Sequence, residues 1–191
     1  MRQALVGAVL LFAAACAVVE NATDRKEMRV EGARLFIRGE VTSRTPARFD
    51  ALLAANPQLR EVVLEDMSGA TDDGAVLGMG YRIRDRGLTT RVPAGGEIFS
   101  GAVTLFLAGD PRIVAPGAVL GVHDWEDGFG RGSSYPRDAR EHAANVAYVR
   151  YMLGSDAFYW FTLQAAPPDG IHVLTRAEMM RFGVLTLVRT N

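Results

Sequence analysis

A serine hydroxyl is a poor nucleophile until a neighbouring base takes its proton, and histidine is the side chain best matched to that task near neutral pH. The 191-residue chain places one serine, Ser100, between the glycine-rich "GGEIF" and the apolar "GAVTLFLAG". If Ser100 opens a helix there, the N–H of Gly101 and the positive end of the helix dipole are available to a developing oxyanion. A serine that only caps the helix has the same sequence signature. Of three histidines, His123 closes the apolar run "AVLGV" 23 positions after Ser100 (123 − 100). A strand end can present an imidazole to the start of a neighbouring helix. His142 stands among charged and small residues of a helical stretch and reads as a solvated face residue, while His172 precedes the strand-like "VLT".

Other chemistries find less material. The only cysteine is Cys16 and the only lysine is Lys26, so the rest of the chain has no disulfide, no thiolate zinc site and no lysine base. The three histidines lack the helix or hairpin spacing of metal ligands. No metal and no cofactor is expected.

The elements that must position these residues alternate. "RLFIRGEV" reads as a strand, "TPARFDALLAANP" as a helix opened by Thr45 and Pro46, and "REVVLED" as a second strand. The middle of "MSGATDDGAVLGMGYRIRDRG" is helical, with Asp72 and Asp73 in its first turn and Arg82, Arg84 and Arg86 near its last, which suits the helix dipole. "LTTRVPAG" follows as a strand, then the helix begun by Ser100, then the strand ended by His123. A helical stretch over 136–164, "PPDGIHVLT", a short helix "RAEMMRFG" and a closing strand "VLTLV" complete the chain. Strands alternating with helices predict a mostly parallel α/β sheet flanked by helices, with ligands at the carboxyl ends of the strands. The turns holding Gly69, Ser100 and His123 all lie there. The loop over 126–138 is long enough for a lid or a plain surface connection.

Taken together, "EDMSGATDDG", "GGEIFSGAVTLFLAG" and "PGAVLGVHDW" resemble, in order and spacing, the proteolytic subunit of Clp protease and its secreted bacterial relatives in the ClpP/crotonase superfamily. The resemblance covers about residues 30 to 188. It implies Ser100 as nucleophile, His123 as general base, and the amides of Gly69 and Gly101 as the oxyanion hole. Met67 and Ser68 replace the proline and first glycine of the family's oxyanion turn. The family's aspartate position falls on Ile171; Asp169, two residues upstream, could reach His123 by a shifted path, and otherwise reads as a turn aspartate. Asp124 and Asp127 are close in sequence, but a side chain adjacent to His123 on a strand points the other way. Relatives with a serine–lysine dyad are matched less well, because Lys26 precedes the domain. Relatives acting on acyl-CoA fit an exported protein poorly.

Residues 1–16 read as a secretory signal in which "LFAAAC" resembles a lipobox, so Cys16 is either lipidated or discarded. Residues 17–28 read as a tether and 29–191 as one domain of ordinary size. This makes the chain an exported, periplasmic or membrane-anchored bacterial protein. A net charge of −1, with both signs interspersed, leaves no basic stripe for nucleic acid. The expected function is serine hydrolysis, of a peptide bond first, with an esterase or thioesterase and a catalytically silent scaffold as rivals. Self-association is implied by the resemblance and by the aromatic-rich segment 144–164. No ATPase-docking feature is legible.

Overall fold

The computed structural model describes residues 27–186. Its centre is strand β4 (Glu61–Leu64), buried at every position, as a strand covered on both faces must be. β4 lies in the middle of a five-stranded sheet of order β1-β2-β4-β6-β8, made with β1 (Met28–Glu31), β2 (Arg34–Ile37), β6 (Thr89–Val92) and β8 (Arg112–Val114). All neighbours are parallel except the hairpin of β1 and β2. The buried Glu61 carboxylate at the start of β4 is matched by Arg34 of β2 at 2.9 Å and Arg91 of β6 at 2.6 Å. These cross-strand pairs help to set the register of three adjacent strands.

Two smaller sheets carry the site. β3 (Glu40–Val41) pairs in parallel with β5 (Gly69–Ala70), and β7 (Glu97–Phe99) pairs in parallel with β9 (Val119–Val122). β10 (His172–Val173) adds to the far side of β9 in the opposite sense. Helix α1 (Thr45–Ala55) has proline in its first turn. Helix α2 (Asp73–Asp85) is capped by the Asp72 carboxylate on the N–H of Ala75 and carries Arg82 and Arg84 in its last turn, as the dipole favours. Helix α3 (Gly101–Phe106) is short and buried. Its carboxyl end is tied to β6 by the Thr90 hydroxyl on the Phe106 carbonyl at 2.7 Å.

After His123 the chain forms α4 (Arg140–Leu153), α5 (Ala157–Ala165) and α6 (Arg176–Arg181). The helical stretch expected over 136–164 is thus two helices, because Gly154 takes the left-handed conformation (φ 79°) that ends α4. Its aromatic surplus divides: Tyr148, Phe158 and Tyr159 are core, Trp160 and Phe161 are half-buried, and Tyr151 is exposed. His142, expected on a solvated face, is buried instead. Its Nδ1 lies 2.6 Å from the Tyr159 hydroxyl and its ring packs against Trp125, Tyr135 and Trp160.

The sequence pattern also gave no sign of β1 and β8, which are only four and three residues long. Of the expected closing strand, residues up to Thr186 lie beside β8, where the N–H of Thr186 reaches the Arg112 carbonyl; the rest falls outside the described residues, as do Cys16 and Lys26. No described helix is long and apolar enough to cross a membrane.

Candidate active site

Ser100 stands between β7 and α3. Its backbone has φ 53° and ψ −124°, and among the described residues it is the only non-glycine residue with positive φ. An L-residue is strained there, and such strain persists only where the surrounding structure imposes it. Here the hydrogen bonding around the turn imposes it. The Ser100 N–H donates to the Gly121 carbonyl of β9 at 2.9 Å, and the Phe99 N–H donates to the Met67 carbonyl at 3.0 Å. The Ser100 carbonyl accepts the Val103 N–H at 2.9 Å. The hydroxyl makes no capping bond to α3, so the helix-cap alternative for this side chain is not what the structure shows.

Gly69 approaches from β5. A β-carbon on it would lie 3.2 Å from the Ser100 β-carbon, and its φ of 135° is one that side chains rarely adopt. Gly101 is held as closely, since a β-carbon there would fall 2.8 Å from that of Ala70. The two glycines let the β5 turn, the serine and the first turn of α3 come together. The Gly101 N–H, in the first turn of α3, has no acceptor within that helix. Met67 of the same turn is buried, and Ser68 is exposed.

His123 follows β9 and is half-buried. Its Nδ1 lies 2.6 Å from the Asp124 carbonyl oxygen. A carbonyl only accepts, so Nδ1 carries the proton and Nε2 keeps its lone pair. The Asp124 side chain turns the other way, into the protein, where it accepts the Ser133 N–H at 3.1 Å and fixes the loop after His123. Asp169 is exposed in the loop between α5 and β10 and shares no hydrogen bond with His123, whose Nδ1 is taken by the Asp124 carbonyl. Asp127 is likewise remote in role: it accepts the N–H groups of Phe129 and Gly130 and the Tyr135 hydroxyl, bracing its own loop.

Ser100, Gly101 and His123 open onto one cavity of about 570 Å³ including its mouth. Val103, Leu107, Val149 and Phe158 give it apolar walls, and Asp73 and Asn145 add polar groups. Among the described residues no hydrogen bond joins Ser100 to His123, a separation common where substrate is absent. Trp125 also lines the cavity and donates its indole N–H to the Tyr159 hydroxyl at 2.9 Å. Burial pushes that hydroxyl up to about 12, so it keeps its proton, and it also hydrogen-bonds His142 Nδ1. Sequence reasoning missed Asp73 and Asn145 as cavity residues, and their positions on α2 and α4 carry no motif. His172 is not part of this cavity and bonds Glu178 at 3.0 Å. Among the described residues no group of acidic, histidine or cysteine side chains is arranged to hold a metal ion.

No family model matches the chain, and no curated protein matches it. Solved structures do. The 1510-N membrane-bound stomatin-specific protease, as a serine-to-alanine mutant, matches with TM-score 0.54 at 19% identity, over 82% of this chain and 78% of that one. A lysine-to-alanine mutant of that protease in complex with a substrate peptide matches with TM-score 0.55 at 20% identity, over 82% and 74%. The 1510-N membrane protease specific for a stomatin homolog from Pyrococcus horikoshii gives 0.52 at 20% identity, over 82% and 72%. The chain therefore has the ClpP/crotonase-like fold, a mostly parallel sheet flanked by helices.

Proposed function

We propose that the chain is a serine hydrolase that cleaves peptide bonds, with Ser100 as nucleophile and His123 as general base. The observation that carries this reading is the strained backbone of Ser100, whose hydroxyl is withheld from the helix it precedes. Strain at a strand-to-helix turn is how a nucleophilic serine is lifted clear of its own backbone. The peptide substrate is supported by the protease with a bound substrate peptide that shares the fold.

In this mechanism His123 Nε2 takes the Ser100 proton as Oγ attacks the carbonyl carbon. The amides of Gly69 and Gly101 stabilise the oxyanion, each donor being worth about 10²–10³ in rate. His123 then gives the proton to the leaving amine, and the same steps with water release the acid. The Asp124 carbonyl holds the imidazole in the required tautomer, the orienting part that Asp169 was expected to play. The base cannot be a lysine of the described residues, because the chain's only lysine is Lys26. Esters and thioesters are attacked by the same steps, so an esterase or thioesterase shares this chemistry. The scaffold reading is favoured by one observation, the lack of a carboxylate on His123.

The N-terminal pattern supports export, with anchoring through Cys16 or its removal, and half-buried Trp160 and Phe161 support self-association. The test is labelling of the purified domain with a fluorophosphonate probe. Covalent label on the wild type, lost in Ser100→Ala and reduced at least ~10²-fold in rate in His123→Ala, is the expected outcome. A folded wild type that takes no label makes the chain a scaffold.

A further inference from the structure

The cavity beside Ser100 has an unusual wall. Asp73, in the first turn of α2, lines it together with Asn145 of α4, and the Asn145 side chain hydrogen-bonds the carboxyl. Asp73 is exposed at the mouth of the cavity. Yet burial pushes its carboxyl above the usual aspartate range, opposed by the Asn145 bond and reinforced by the neighbouring charge of Asp72. No cation of the described residues is paired with it. Asp72 is itself committed to the Ala75 N–H. Of the other titratable groups on the cavity, Tyr159 is positive in neither of its states, and His123 is the group already assigned as the base.

A carboxylate here lines the cavity with no cation of the described residues paired to it, so a cationic ligand can supply the partner. The rest of the wall says what else the visitor carries. Val103, in the helix that follows Ser100, and Leu107, at that helix's end, line the cavity with Val149 and Phe158 as an apolar surface. An alkyl stem ending in a cation matches both parts, its methylenes on the apolar wall and its head on the carboxylate.

Resting on the assignment of Ser100 as nucleophile, we propose that this cavity receives the substrate side chain on the acyl side of the cleaved bond and that Asp73 selects lysine or arginine there. An acidic side chain is repelled. A purely apolar one packs on the apolar wall and leaves the carboxylate unpaired.

The test uses peptidyl phosphonate probes that differ only at that residue, lysine against its uncharged near-isostere norleucine, and against glutamate. The rate of covalent inactivation is measured, and the ratio within one protein is the readout. The wild type is expected to prefer lysine over norleucine by about 10- to 100-fold, the worth of a charge-assisted hydrogen bond. The preference should collapse towards one in Asp73→Asn and turn towards glutamate in Asp73→Arg. In the wild type it should also fall as pH is lowered and the Asp73 carboxyl takes up its proton, a measurement that needs no variant. A wild-type ratio near or below one, or a lysine preference that survives in Asp73→Asn, overturns the proposal. If a small fluorophosphonate still labels Ser100 in that case, the hydrolase assignment stands and only the selectivity falls; if no probe labels the wild type, both fall.

Discussion

At Ser100 the backbone carries a cost that a glycine would not. A residue held in so sparsely populated a region costs about 1–3 kcal/mol. Glycine removes that strain but adds about 0.5–1 kcal/mol of chain entropy to be lost on folding. Relief of the strain outweighs the added entropy, so Ser100→Gly should unfold at a higher temperature than the wild type while losing all covalent labelling. Ser100→Ala keeps the β-carbon and the strain, and should unfold near the wild-type temperature; calorimetry of the three proteins checks the order. This residue also shows where sequence stops. The types and spacing of Ser100 and His123 were legible, but a capping serine and one that makes no cap share one sequence, and what separates them is a pair of backbone angles. Asp169, the expected orienting acid, shares no hydrogen bond with His123, whose Nδ1 is met by the carbonyl of the next residue, Asp124, a backbone contact that no residue type announces.

Among the elements, the contact of α2 with α4 turns on Gly80. A β-carbon there would lie 2.7 Å from Cζ of the fully buried Tyr148, whose hydroxyl is anchored on the Thr104 carbonyl at 3.0 Å. Alanine would gain about 1 kcal/mol of helix propensity at this position. Overpacking costs about 1–3 kcal/mol, and the ring cannot swing away without giving up its bond. Gly80→Ala is therefore expected to destabilise, with a lower urea midpoint and an unchanged slope. The alternation of strands and helices was readable because each amphipathic segment is long enough to show its period. The short β1, β7 and β8 were not legible. His142 was misplaced because its neighbours in sequence are polar while its neighbours in space, Trp125, Tyr135 and Trp160, come from elsewhere in the chain.

For the molecule as a whole, acid stability follows from which carboxyls the fold favours in the charged form. Glu65 is held low by two hydrogen bonds from Arg29, at 2.8 and 2.9 Å. Glu178 is held low by the Thr175 N–H and hydroxyl and by His172. A depressed carboxyl contributes stability that is present above its unfolded value and lost as pH falls through the folded one. Asp73 has the opposite sign, and its protonation relieves a cost. Among the described residues Asp127, Glu141 and Asp156 are held low as well, so five depressed carboxyls stand against one raised, the net effect is a loss, and the urea midpoint should drop from pH 6 to pH 3. An unchanged midpoint would mean that these pairs persist in the unfolded chain. The parallel α/β architecture was legible at this scale, because it needs only the order of elements. The cavity was not, because Asp73, Ser100, His123 and Asn145 are brought together from α2, the β7–α3 turn, the end of β9 and α4.

The indole of Trp125 lines that same cavity, and the chain has one other tryptophan, Trp160, under the guanidinium of Arg137 at 4.3 Å. The protein thus holds its own optical gauge. In Trp160→Phe every ultraviolet photon emitted by indole comes from beside Ser100, so occupancy of the cavity becomes a colour and intensity change readable without any label. Such a signal responds to ligands that are held and never cut, and would therefore remain available in a variant with no chemistry left.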